Sequence, residues 1–159
     1  MPSVYLSHSV SPWELAQVYV LARETERHGL QTFIPDRNWQ PSLGVPNHLK
    51  GLLHQADMVL AFVSLNGHHS EWVNQELIEA HSKTLVTLAE QGIQLDGLDE
   101  QNVVRFSQSG DMAVAIQRVI GRLQGLEFPR SANNLLTGLI VGGLVLLLLR
   151  GLGGKGGQR

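Results

Sequence analysis

The run Met58-Val59-Leu60-Ala61-Phe62-Val63-Ser64 constrains the fold more than any other stretch of the chain. It is too short for an ordinary buried helix and has no alternating polar position that would face water. It reads as a strand covered on both faces, the pattern of an inner strand in a parallel sheet.

Short β-rich runs and helical patterns alternate on either side of it. Val4–Ser7 is the first strand. Ser11-Pro12-Trp13-Glu14 opens a helix, with Ser as cap, Pro at the first helical position and an acid in the first turn. Leu15, Val18, Tyr19, Ala22 and Thr25 then recur at helical spacing as its inward stripe, up to Gly29, which suits the residue just past a helix end. Gln31–Ile34 is the second strand, and Pro35 to Pro46 form a polar loop. Asn47–Gln55 is a short helix with Leu49, Leu52 and Leu53 inward. Ser70 caps a helix running to about Ser82, and Thr84–Leu88 is the fourth strand. A loop over Gly92–Asn102 leads to a fifth strand, Val103–Phe106. Asp111 opens an amphipathic helix through Leu123. Such alternation implies an α/β fold, with right-handed crossovers and helices on both faces of a parallel sheet. Sites in these sheets form beyond the carboxyl ends of the strands. The loops expected to meet there are His8–Val10, Asp36–Trp39 and Asn66–Ser70.

Composition narrows the function classes. A net charge of -2 supplies no field toward nucleic acid, so no nucleic-acid partner is expected. The chain has no cysteine, which removes disulfides and thiolate metal sites. The histidines His8, His28, His48, His54 and His81 show no ligand spacing, and His68 and His69 are adjacent, so no metal site is expected. The opening residues lack a basic stretch followed by an apolar run, so no secretory signal is expected. Ser131–Leu149 contains no charged side chain and would span roughly 28 Å as a helix, close to the hydrocarbon thickness of a bilayer. Its alternative is a packing or oligomerisation helix. Gly138 and Gly142 stand at a Gly-x-x-x-Gly spacing that lets helices approach closely. The expected organisation is a domain over 1–124, a linker over 125–134, a transmembrane or membrane-associated helix over 135–154 and a basic tail over 155–159.

Two segments carry candidate chemistry. In Ser70-Glu71-Trp72-Val73-Asn74-Gln75-Glu76, Trp72 and Glu76 are four apart and share one helix face. A carboxylate beside an aromatic platform suits cleavage of an N-glycosidic bond, where the acid stabilises or attacks the anomeric carbon. An ordinary amphipathic helix with Trp inward and Glu outward has the same spacing. Glu71 and Glu79 read as solvated. In Phe33-Ile34-Pro35-Asp36-Arg37-Asn38-Trp39, Arg37 could hold a phosphate and Trp39 could stack on a base, or Asp36 and Arg37 only pair locally. No phosphate-binding glycine loop or serine nucleophile elbow is present.

As an ordered set, these segments resemble bacterial TIR (Toll/interleukin-1 receptor) domains over about residues 3–124. Val4-Tyr5-Leu6-Ser7-His8-Ser9 resembles the family's first strand and loop. Phe33 to Pro41 resembles its second strand running into the BB loop. Leu53 to Ser64 resembles its helix and third strand, Ser70 to Glu76 its Ser-x-Trp-x-x-x-Glu helix start, and Val103 to Ser107 its fifth strand. The resemblance implies a flavodoxin-like five-stranded sheet of order 2-1-3-4-5. It implies cleavage of NAD⁺ to nicotinamide and ADP-ribose or a cyclised isomer, often in anti-phage defence. Glu76 takes the place of the catalytic glutamate. Trp72, Arg37, Phe33, Ser9, His8, Trp39 and Ser70 fall where members line the nucleotide cleft. NAD⁺ would be substrate rather than cofactor, and no other cofactor is implied.

Members commonly act as oligomers, which implies a homo-oligomer formed through the domain and the Gly138/Gly142 helix. The expected setting is a membrane, crossed once near the C-terminus with the domain in the cytoplasm, and any activator would be encoded separately. Two other readings stay open: a non-catalytic TIR signalling or assembly module, and a nucleoside deoxyribosyltransferase-like enzyme, a fold that also carries a glutamate nucleophile after strand three.

Overall fold

The computed structural model describes residues 1–66, 70–95, 100–107 and 110–126. Strands β1 (Ser3–Ser7), β2 (Gln31–Phe33), β3 (Met58–Val63), β4 (Thr84–Glu90) and β5 (Val103–Phe106) alternate with helices α1 (Pro12–Arg27), α2 (Asn47–Gln55), α3 (Glu71–Glu79) and α4 (Met112–Gly125). Short 3-10 turns cover Pro41–Leu43 and Glu100–Asn102. All strands pair in parallel, in the order β2-β1-β3-β4-β5. This is the flavodoxin-like α/β arrangement expected from the sequence. The order reverses between β1 and β3, which opens a crevice beyond the carboxyl ends of those two strands.

Side chains alternate across a strand, so the sheet carries two cores. Met58, Leu60 and Phe62 of β3 join Val4, Leu6, Val86 and Leu88 under α1 and α4, against Val18, Leu21, Ile116, Val119 and Ile120. Val59, Ala61 and Val63 join Tyr5, Leu85 and Ala89 under α2 and α3, against Leu53, Val73 and Leu77. Every residue of β3 is buried, as its unbroken apolar run requires. Trp13, Phe62 and Phe106 pack ring on ring in the first core, with centroids 5.4 to 6.2 Å apart. The same alternation sends Tyr5 to the α2/α3 side of β1. Ser7, two residues on, follows it.

Several elements differ from the sequence expectation for identifiable reasons. Ser11 precedes α1, but its side chain makes no capping bond; its N–H instead donates to Ser9 Oγ at 3.2 Å. The inward stripe of α1 is Glu14, Val18, Leu21, Ala22 and Thr25, while Tyr19 is 63% exposed. The expected stripe takes Leu15 and Tyr19 where the structure buries Glu14 and Leu21. On α2 only Leu49 and Leu53 are buried, and Leu52 sits exposed at the edge of their face. The turn after α1 forms as read: Gly29 has φ +81°, a conformation that side-chain-bearing residues resist. β4 runs on to Glu90, and α3 stops at Glu79.

The hydrophobic segment 135–154, the tail 155–159, most of the linker, and His68 and His69 lie outside the described residues. Among the described residues no helix is long and apolar enough to cross a membrane.

Candidate active site

Glu76 sits on the second turn of α3, three residues after Val73 and one before Leu77, both of which face the core. Ser70 starts this helix, with Oγ accepting the Val73 N–H at 3.3 Å. Because it shares the inward face, Glu76 points at β1 and not at solvent, and it is fully buried. The alternation of β1 has already placed two hydroxyls opposite it. Tyr5 donates its phenol hydrogen to Glu76 Oε2, and Ser7 donates its hydroxyl to Oε1 at 2.7 Å. Arg37 completes the shell with two parallel contacts, Nη1 to Oε2 at 2.8 Å and Nη2 to Oε1 at 2.7 Å. Four donors thus converge on a carboxylate that offers about four lone-pair sites, the arrangement that makes burying this charge tolerable.

Arg37 arrives on the loop after β2. Its Nε and Nη2 also donate to the His8 carbonyl, at 2.9 and 2.6 Å. The side chain is 9% exposed. The guanidinium expected to meet a phosphate is therefore committed, in this conformation, to Glu76 and to the loop after β1. The rest of the Arg37 loop is tied to itself and to α3. Trp39 lies with its ring centroid 6.0 Å from the Arg37 guanidinium carbon, and its indole donates to the Asp36 carbonyl at 2.9 Å. Trp72 Nε1 donates to the Trp39 carbonyl at 3.1 Å, so the helix that carries Glu76 also holds the loop that covers it. Asp36 accepts from the Asn38 N–H at 3.2 Å and meets His48 Nε2 at 3.1 Å; the His48 contact is the main reason its carboxyl is held below the usual range. Phe33 packs on Tyr5 with centroids 5.7 Å apart, one layer behind the carboxylate.

Burial, followed by the Glu76 charge, pushes the Tyr5 phenol far above its ordinary range and keeps it a donor. Burial, followed by the Arg37 charge, pulls the His8 imidazole down toward its neutral form. His8 Nδ1 lies 2.7 Å from the Ser9 carbonyl and must carry the proton there, which leaves the lone pair on Nε2. That nitrogen is buried and has no hydrogen-bond partner among the described residues.

The structure therefore brings together Glu76, Arg37, Trp72, Trp39, Phe33 and the main chain of His8. Ser70 and Ser9 serve their own segments, Ser70 as a helix cap and Ser9 within the loop after β1. Glu79 meets His54 at 2.9 Å and is only partly exposed, in contrast to the solvated acid expected, whereas Glu71 is exposed. Sequence reasoning missed Tyr5, Ser7 and Glu14. The signal for the first two was present: in Val4-Tyr5-Leu6-Ser7 the hydroxyls alternate with aliphatic residues, so a buried strand must find an acceptor for both. Among the described residues no group of three His, Asp or Glu side chains could hold a metal ion.

The structure resembles that of the TIR domains in the activated Roq1 resistosome directly recognizing the pathogen effector XopQ, with a TM-score of 0.50 and 16% identity, covering 92% of this chain and 84% of that one. At that identity the likeness is one of fold. No curated protein matches the chain. The family model for the TIR domain matches residues 4–120, the span from β1 to α4. The chain belongs to the TIR domain family.

Proposed function

We propose that this protein cleaves the nicotinamide N-glycosidic bond of NAD⁺, with Glu76 as the reacting carboxylate. The observation that carries the reading is the placement of Glu76: a buried carboxylate at the switch point of the sheet, held by Tyr5, Ser7 and Arg37. Nicotinamide leaves as a neutral molecule with the bonding electron pair, so no general acid is needed. Positive charge develops at the anomeric carbon, and Glu76 stabilises or attacks it. Water, or a nucleophile within the ADP-ribose itself, then closes the reaction and releases a proton.

The substrate cannot reach the carboxylate while Arg37 spans both of its oxygens. On this reading the guanidinium exchanges one partner for another, leaving Glu76 for the pyrophosphate, which presents the same paired oxygens. Trp72 and Trp39 then flank the opening as ring surfaces for the nucleotide. Homo-oligomer formation through the domain would shift the Arg37 loop, and the uncharged segment 131–149, as a membrane-spanning helix, would concentrate the domains in two dimensions. A role as a defence effector follows the same line.

The full burial of Glu76 also favours a second reading, an assembly module in which the Glu76–Arg37 pair only holds the loop. One assay separates these readings. The full chain, clustered on lipid vesicles, is incubated in parallel with NAD⁺ and with deoxynucleosides, and free base is followed. Nicotinamide release from NAD⁺ alone supports the proposal. Release from deoxynucleosides alone supports a deoxyribosyltransferase-like enzyme, and release from neither supports the assembly module.

A further inference from the structure

Glu14 is a second fully buried carboxylate at this end of the molecule, and the chemistry above does not use it. It leaves the first turn of α1 and reaches back under the loop that precedes the helix. Its Oε1 accepts the Ser9 N–H at 2.5 Å, and its Oε2 meets the Ser64 hydroxyl at 2.6 Å. Ser64 directly follows β3, so Glu14 ties the loop after β1 to the end of the neighbouring strand, across the switch point of the sheet.

The Ser9 N–H and the His8 carbonyl belong to one planar peptide unit. Glu14 holds the N–H end of that unit. Arg37 holds the carbonyl end through Nε at 2.9 Å and Nη2 at 2.6 Å. A carboxyl on the N–H and a guanidinium on the C=O polarise the amide in the same sense, so each contact strengthens the other. The same guanidinium then bridges to Glu76. A continuous line runs from Ser64 through Glu14, the His8–Ser9 peptide and Arg37 to Glu76.

The geometry assigns Glu14 the part of a positioning residue: it fixes the His8–Ser9 peptide, and through that peptide the guanidinium facing Glu76. With the His8 carbonyl immobile, Arg37 has a pivot. Nε stays on the carbonyl while Nη1 and Nη2 leave Glu76 for a ligand anion. The effect on turnover rests on Glu76 being the reacting carboxylate. The tether itself does not.

The test uses the full chain, labelled with nitrogen-15, and three forms of residue 14. In wild type the Ser9 amide proton should lie well downfield, and the Arg37 Nε–H should exchange slowly. Glu14→Gln keeps an acceptor oxygen for Ser9 and a donor for Ser64, so both signals should persist. Glu14→Asp shortens the reach by one carbon–carbon bond, about 1.5 Å. It should shift the Ser9 amide upfield and speed Arg37 Nε–H exchange by about tenfold, roughly the loss of one hydrogen bond. Glu14→Asp should also raise KM for NAD⁺ several-fold with kcat held, and Glu14→Gln should restore it. A role confined to stability would move the unfolding midpoint and leave the Arg37 signal and KM unchanged. An ordinary Ser9 amide position in wild type, or unchanged Arg37 exchange in folded Glu14→Asp, overturns the tether. If the spectra behave as expected while wild type leaves NAD⁺ intact, the tether stands and the proposed reaction falls.

Discussion

Arg37 and Glu76 face each other through two parallel contacts of 2.7 and 2.8 Å, with the carboxylate fully buried. The pair joins the loop after β2 to the second turn of α3, segments that are thirty-nine residues apart in the chain. It is the contact on which both the fold of the loop and the proposed chemistry turn.

Removing one partner leaves the other as an uncompensated buried charge. Arg37→Ala should therefore cost about 3–5 kcal/mol of stability, measured by urea unfolding. The double variant Arg37→Met with Glu76→Leu should lose less than the sum of the two single losses, because it removes both charges together. Additive losses would mean that the two groups do not interact in solution as they do in the structure.

Tyr5 donates to Glu76 from a site where burial and that charge hold its phenol protonated. Tyr5→Phe should cost about 1–3 kcal/mol, the penalty for leaving an acceptor short of a donor. The raised value also sets the sign of a pH effect. Stability tied to this proton is present in full below the unfolded-chain value near 10.0 and falls as pH rises above it. In an alkaline titration followed by tyrosinate absorbance, Tyr5 should stay silent until the protein unfolds, and the withheld step should vanish in Tyr5→Phe. Ionisation of Tyr5 in the folded protein would contradict this.

Glu14 shifts in the same direction, and burial is again the main cause. Burial lifts its carboxyl, so the fold favours the neutral form more than the unfolded chain does. The associated stability is complete below the unfolded-chain value, near 4.5, and is lost as pH climbs through the raised one. Glu14→Gln cannot ionise. Its stability relative to wild type should increase over that window and then level off. Unfolding midpoints measured from about pH 4 to about pH 8 check this, and an advantage for Gln that shrinks with rising pH would refute it.

Trp72 holds the Arg37 loop through one indole N–H. Trp72→Phe keeps a ring and loses that bond. It should loosen the loop, raising KM for NAD⁺ by a few-fold while kcat is largely kept, since a neutral hydrogen bond contributes about 1 kcal/mol. A large fall in kcat with KM unchanged would instead give the indole a part in the chemical step.

The sheet was legible in the sequence because its signal is local. The apolar run of β3, the Ser70 cap and the glycine after α1 each declare an element from a few adjacent residues. Glu76 was legible as a residue, but its burial was not. The spacing that places it on the face of Trp72 equally allows an outward acid, and only Tyr5, Ser7 and Arg37, all distant in sequence, decide which way it turns. Glu14 failed for the same reason. An acid in the first turn of a helix is ordinarily explained by the helix dipole, and nothing local reveals that Ser9 and Ser64 draw it inward.

The proposed reaction has Glu76 cleave NAD⁺. The most direct test is the cellular NAD⁺ level in cells expressing the full chain, compared with cells expressing Glu76→Gln at equal abundance and with folding verified. NAD⁺ should be depleted and nicotinamide should accumulate with the wild type, and neither should change with the variant. Equal depletion by both would remove Glu76 from the reaction.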